Sequence, residues 1–261
     1  MNLRIAHLYP KAMNLYGDKG NIMVLIKRCQ WRSIEVKLER VGEGETIDFS
    51  SCDILFMGGG PDSAQRSIAD DLLAKGDRIR EAVESGICAL TICGAYQLFG
   101  RYFKTKDGAM LPGIGIFDHH TEAGDRRMIG NALVDCSELL AEEVFPTHGK
   151  DKAPLELVGF ENHSGRTFLG EGCKPLGKVI RGYGNDGSSG FEGCRYKNAF
   201  GTYLHGPLLP KNPWFADYLI RLGLERRYGH PIELEELDDT IEMAAFKVAR
   251  RKSLTSVTPH L

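Results

Sequence analysis

"CALTICGAYQLFG", residues 88–100, reads as a buried strand that stops at a cysteine, after which Gly94 and Ala95 open a short helix. Strand, tight turn with small neighbours and helix together form the pattern of a nucleophile elbow, with Cys93 at the turn. A helix N-terminus behind a thiol lowers its pKa, and the amides that follow it stabilise a developing oxyanion. A buried, inert cysteine is the plain alternative, and it is the reading given to Cys88.

Working outward, "LRIAHL" (3–8) reads as a first strand and residues 17–32 as an amphipathic helix, with Asp18 as a candidate cap. "SIEVKLERV" (33–41) alternates as strands do, and "CDILFMGGG" (52–60) is an apolar run halted by three glycines. Residues 62–85 have the spacing of one or two helices ending at Gly86. This order predicts an α/β fold: a flavodoxin-like, mostly parallel sheet with helices on both faces. Ligands bind such sheets at the carboxyl ends of the strands, which is where the glycines and Cys93 both fall.

The second half reads as β-rich, with short strand-like pieces at 155–161, 177–184 and 198–206. Residues 141–154 and 182–193 read as surface loops, and 214–229 and 233–252 as two closing helices. Residues 1–250 are expected to form a single domain and 251–261 a frayed tail. Of the 261 residues 42% are hydrophobic and 26% charged, enough for one sizeable core. A formal net charge of −2 offers no basic excess for nucleic acid or acidic lipid. No stretch resembles a secretory signal or a membrane span, so the expected location is the cytoplasm. The seven cysteines are dispersed and show no C-x-x-C pair, which predicts neither a disulfide framework nor a zinc site.

Cys93 needs a base, and "GTYLHGP" puts His205 directly after a strand-like stretch, a position equally suited to a surface histidine. "GFENHSGRT" sets Glu161, Asn162 and His163 after another strand, fit for substrate contact or for a hydrogen-bonded turn. "FMGGGPD" lacks the Lys-Ser/Thr of a nucleotide loop, so Gly59 and Gly60 read as backbone approaching a carbonyl. "GYGNDG" (182–187) matches a dinucleotide fingerprint literally, but no helix pattern follows it. "DRR" (125–127) reads as a solvated loop or as a carboxylate-recognising pair.

With these segments assembled, the chain resembles the triad-type glutamine amidotransferases, in their cobyric-acid-synthase-like (CobB/CobQ-like) branch. "NLYGDKGNI", "FMGGGPDSAQ", "LTICGAYQLFG", "GFENHSGRT", "YGN" and "GTYLHGPLLPKN" carry the resemblance, most closely to the small freestanding glutaminase subunits of that branch. The family elbow is G-x-C-x-G-x-Q, and here Thr91 and Ala95 stand at the two glycine positions. The resemblance implies a class I glutamine amidotransferase-like fold, with Cys93 as nucleophile and His205 as proton shuttle. Gly60 and Gly94 would form the oxyanion hole, Arg127 would hold the α-carboxylate of L-glutamine, and Gln97, Gly59 and His163 would line the site. It also implies a heterodimer with a Mur-ligase-like subunit (MurT), which would bring the ATP and Mg; no cofactor is expected in this chain. The acceptor would be the D-glutamate α-carboxylate of the lipid II stem peptide, reached through that partner.

The parent family keeps an acid two residues after its histidine, where this chain has Pro207. The expectation is therefore a weak glutaminase when alone, its third catalytic group supplied by the partner in preference to Glu161. Competing readings are a glutaminase for cobyrinate-type amidation, a stand-alone cysteine amidase or peptidase of this fold, and a non-enzymatic regulatory module.

Overall fold

A computed structural model describes residues 1–144 and 155–256. The chain runs β1 (Asn2–Leu8), α1 (Lys19–Trp31), β2 (Glu35–Val41), β3 (Ile54–Met57), α2 (Asp62–Glu84), β4 (Cys88–Ile92) and α3 (Gly94–Phe99). It continues through β5 (Tyr102–Lys104), β6 (Met110–Pro112), β7 (His119–Asp135), α4 (Ser137–Val144) and β8 (Glu156–Leu169). Then come β9 (Gly177–Arg181), β10 (Phe191–Glu192), β11 (Cys194–Tyr196), β12 (Ala199–Thr202), α5 (Pro213–Tyr228) and α6 (Thr240–Thr255).

β3 and β4 are buried at every position, as apolar strands covered on both faces must be. α2 is one continuous helix whose buried Ile68, Leu72, Gly76, Ile79 and Val83 recur every three to four residues. The first sheet has the order β11-β12-β4-β3-β1-β2, parallel throughout except for the antiparallel edge strand β11. The chain leaves β1 for β2 on one side and returns to β3 on the other, so the order reverses beside β1. A crevice forms outside the strand ends at such a reversal.

The second sheet has the order β10-β9-β7-β5-β6, with β8 paired to β7. β7 and β8 form a long antiparallel hairpin whose register shifts between Ala123 and Met128, the bulge that contains the adjacent arginines. The short strand expected at 155–161 thus continues through the polar cluster to Leu169. Its alternation was hidden because the buried positions there are Glu161, His163, Gly165 and Thr167 rather than apolar residues.

Four further expectations are corrected. The glycine-rich stretch 182–193 is no plain surface loop: Tyr183, Gly184, Asn185 and Glu192 are buried, and the Tyr183 and Gly184 amides donate to the Glu161 carboxylate. The acidic run from Glu233 to Asp239 is not helical; closely spaced like charges oppose a helix, and the Asp238 carboxylate accepts from the Thr240 amide where α6 begins. α6 then extends to Thr255, through the first part of the expected frayed tail. The loop expected at 141–154 is helical to Val144, and its remainder lies outside the described residues.

Arg28, 2% exposed at its side chain, makes paired hydrogen bonds to both Asp217 and Asp239, and Arg32 also reaches Asp217. These charge-assisted bonds tie α1 to α5 and to the approach to α6.

Candidate active site

Four strand ends meet at one edge of the first sheet. β1 leads to Tyr9–Asp18, β3 to Gly58–Gly60, β4 to Cys93 and β12 to Tyr203–His205. Cys93 sits at φ 51°, ψ −104°, a conformation in which a non-glycine residue is strained. Its amide donates to Thr202 O at 2.8 Å, so the last parallel strand holds the elbow in place. Thr91 causes no obstruction: its hydroxyl donates to Phe200 O at 3.2 Å, and Ala95 is fully buried. The thiol residue is 7% exposed, at the boundary between core and solvent.

His205 is fully buried and fixed by a backbone pair with Phe160, N–H to O at 2.8 and 3.1 Å. Its Nδ1 lies 3.3 Å from Asp18 Oδ1, and the other Asp18 oxygen accepts from the Gly59 amide at 2.7 Å. Burial alone would lower the imidazole pKa, but the neighbouring Cys93 and the hydrogen-bonded Asp18 carboxylate raise it to about 10. Nδ1 therefore carries a proton towards Asp18, while Nε2 has no oxygen or nitrogen partner among the described residues and is left to the cysteine.

The chain itself thus places a carboxylate, Asp18, beside His205, where the sequence reading looked to a partner or to Glu161. Asp18 was read as a helix cap, yet its side chain makes no capping bond, and Asn14 Oδ1 takes the Lys19 amide instead. Glu161 is excluded geometrically, because its oxygens are occupied by the amides of Tyr183 and Gly184 at 2.7 and 3.0 Å. Pro207, where the family has its acid, packs against Gly20 at the start of α1, two residues after Asp18. In the sequence the only trace of this is a buried-type acid between glycines that does not need to cap.

Gly59 shows how closely the three groups converge. A Cβ built there would lie 2.7 Å from His205 Cε1 and 3.3 Å from both Cys93 Cβ and Asp18 Oδ2. Gly60 and Gly94 face one another: a Cβ on Gly94 would stand 2.8 Å from Gly60 O. Among the described residues neither amide has a hydrogen-bond acceptor, the second because it opens α3, where no intrahelical partner exists. Two unpaired amides beside the thiol can receive an oxyanion. Gly59 differs, since its N–H is committed to Asp18.

Gln97 is buried, accepting from Gln65 Nε2 at 3.0 Å and donating to the Tyr203 hydroxyl at 3.1 Å. His163 stacks on Tyr203 with ring centroids 3.6 Å apart, and its Nδ1 is 2.8 Å from Gly165 O. Burial, opposed by that carbonyl and aided by the charges of His205 and Arg127, lowers its pKa to about 3, so the ring is neutral, and its Nε2 has no partner among the described residues. Arg127 lies exposed at the β7 bulge. Its Nε donates to Asn162 Oδ1 at 2.5 Å, and its two Nη groups have no partner among the described residues. Asn162 in turn donates to the Tyr16 hydroxyl, and the Tyr16 ring meets His205 edge-on, centroids 5.0 Å apart. The sequence-nominated residues thus gather at one edge of the first sheet and on the neighbouring β7–β8 hairpin, while Asp18 was read only as a cap and Tyr16 was not singled out.

The described residues hold no cluster of three or more His, Cys, Asp or Glu arranged to bind a metal, and no helix among them is long and apolar enough to cross a membrane.

Residues 4–213 match the CobB/CobQ-like glutamine amidotransferase domain family. The chain is 41% identical over 246 residues to the lipid II isoglutaminyl synthase (glutamine-hydrolyzing) subunit GatD of Staphylococcus aureus, covering 94% of each chain. It is 38% identical to the Streptococcus pneumoniae subunit of the same name, covering 92% of this chain and 87% of that one. A probable cobyric acid synthase of Methanococcus maripaludis is 31% identical over 67% of this chain, which spans 35% of that longer protein. Among solved structures, the glutaminase domain of Trypanosoma brucei CTPS with bound acivicin superposes with a TM-score of 0.51 at 13% identity, over 89% of this chain and 96% of that one.

Proposed function

Because the chain belongs to the CobB/CobQ-like glutamine amidotransferase family, we propose that Cys93, His205 and Asp18 hydrolyse L-glutamine and that the ammonia serves an amidation on a partner subunit. The observation that carries the reading is the convergence of a thiol on a strained elbow, a buried histidine and a carboxylate around Gly59.

In the reaction, the Cys93 thiolate adds to the side-chain amide carbon, and the resulting oxyanion accepts hydrogen bonds from the Gly60 and Gly94 amides. Imidazolium His205 gives its Nε2 proton to the leaving nitrogen, the C–N bond breaks, and ammonia departs from a γ-glutamyl thioester. Water then attacks the thioester, returning one proton to His205, and collapse expels the thiolate and releases glutamate. Asp18 keeps the Nδ1 proton in place throughout, which fixes the tautomer and stabilises the imidazolium. Arg127 holds the α-carboxylate with its free Nη groups, and Gln97 and His163 form the wall of the site.

The likeness to the two GatD subunits supports lipid II as the destination: amidation of the D-glutamate α-carboxylate in the stem peptide, during peptidoglycan synthesis in the cytoplasm. A carboxylate does not condense with ammonia unless it is first activated, so the partner is a Mur-ligase-like subunit that uses ATP and Mg²⁺. The test is to co-purify this chain with that ligase, supply glutamine, ATP and lipid II, and analyse the stem peptide by mass spectrometry. One amidation per peptide, lost in Cys93→Ala and restored to that variant by free ammonia, is the expected result. Unchanged glutamine-dependent amidation by Cys93→Ala would refute the proposal.

A further inference from the structure

We infer that Tyr16 is a specificity-determining residue whose hydroxyl joins Arg127 in binding the α-carboxylate of the substrate; this rests on the glutaminase reading above. Tyr16 has φ 54° and ψ 24°, a left-handed conformation uncommon for a bulky side chain, and is 41% exposed. The strain therefore does not serve to bury an aromatic ring in the core. It sets the ring at the mouth of the site, edge-on to His205 and 6.2 Å, centroid to centroid, from Phe160.

The proton on the hydroxyl follows from its neighbours. Arg127 Nε can only donate, so the Asn162 atom facing it is the carbonyl oxygen, and the Asn162 amide nitrogen is the atom turned to Tyr16. Tyr16 must then accept from Asn162, which leaves its own O–H free to donate, and no described residue receives it. One asparagine thus holds two donors in fixed relation, the Tyr16 hydroxyl and the guanidinium whose Nη groups are unpaired. A ligand that accepts from both needs two oxygens and negative charge, and in glutamine that group is the α-carboxylate, at the end opposite the amide that Cys93 attacks.

The experiment compares L-glutamine with its α-carboxamide, in which that charge is absent, and measures side-chain ammonia release by the complex with its ligase. Tyr16→Phe removes only the hydroxyl. It is expected to lower kcat/KM for glutamine about five- to tenfold through KM, and for the α-carboxamide less than twofold. Asn162→Ala, which frees both donors, is expected to show the same dependence on substrate. Equal losses on the two substrates would assign the hydroxyl to loop stiffening and overturn the inference, as would no loss on either. Wild type turning over neither substrate would overturn the glutaminase reading itself, and this inference with it.

Discussion

Replacing Asp18 by asparagine removes one charge and one acceptor while keeping the shape. In the wild type two donors converge on this carboxylate, His205 Nδ1 at 3.3 Å and the Gly59 amide at 2.7 Å, one on each oxygen. Asparagine has a single oxygen, so one donor must face its NH2 group. The Gly59 amide cannot turn away, whereas the imidazole can exchange its proton for the Nε2 tautomer, and that places N–H where the reaction needs a base. Two unit charges 3.3 Å apart interact by about 5 kcal/mol at an effective dielectric of ~20, which is an upper bound. Hydrogen bonds to charged groups contribute about 1.5–3 kcal/mol net, equivalent to roughly 10- to 150-fold in rate. With the wrong tautomer added, kcat for glutamine is expected to fall about 10²- to 10⁴-fold while KM moves by less than about threefold. The imidazolium should also titrate well below its wild-type value of about 10. Initial rates of glutamate formation from pH 6 to 10, with and without the ligase, measure both effects. If Asp18→Asn keeps more than about a third of the wild-type kcat in both conditions, the orienting carboxylate is not Asp18 and the partner becomes its source.

Gly59→Ala forces a methyl group to 2.7 Å from His205 Cε1 and should cost about 1–3 kcal/mol of stability and at least ~100-fold in activity; a variant of wild-type activity would mean that the histidine has room to move. Arg127→Lys keeps the charge but loses the planar fork, so KM for glutamine should rise about tenfold with kcat nearly constant, read in the same rate assay. Burial, against bonds from the Tyr203 amide and Thr202 hydroxyl, raises the Glu192 pKa from 4.5 to about 8, and burial raises that of Glu161 to about 7. Above about pH 6.5 the buried His7, His119 and His163, whose pKa values are lowered, are neutral in both states, so between pH 6.5 and 8 Glu192, Glu161 and His205 make the folded protein hold more protons than the unfolded chain, and Tm should decline as pH rises through this window. Glu192→Gln should flatten that decline, and an unchanged slope would refute the assignment.

The first half of the fold was legible because its strands are apolar and its helices keep a 3.6-residue spacing, as β4 and α2 do. The elbow at Cys93 was legible because a strand stop, small residues and a helix start are all local signals. The place of Asp18 beside His205 was not, since it depends on which strand end faces which, a relation set by the crossover from β2 to β3. β8 was misread beyond residue 161 for a related reason. Its inward positions carry Glu161, His163 and Thr167, so the alternation is between buried polar and half-exposed polar residues, and hydropathy does not separate them. Where a sequence breaks the apolar rule inside a strand, the site supplies the reason.

Because the Cys93 amide bonds to Thr202 O, the elbow needs β12, which is the last strand of its sheet to leave the ribosome. Asp18 is synthesised first, the thiol midway and the imidazole near the end. A chain still in synthesis therefore carries a cysteine with neither its base nor the strand that strains it. Glutamine hydrolysis begins only after the sheet closes, so chains that stop short of β12 release no ammonia.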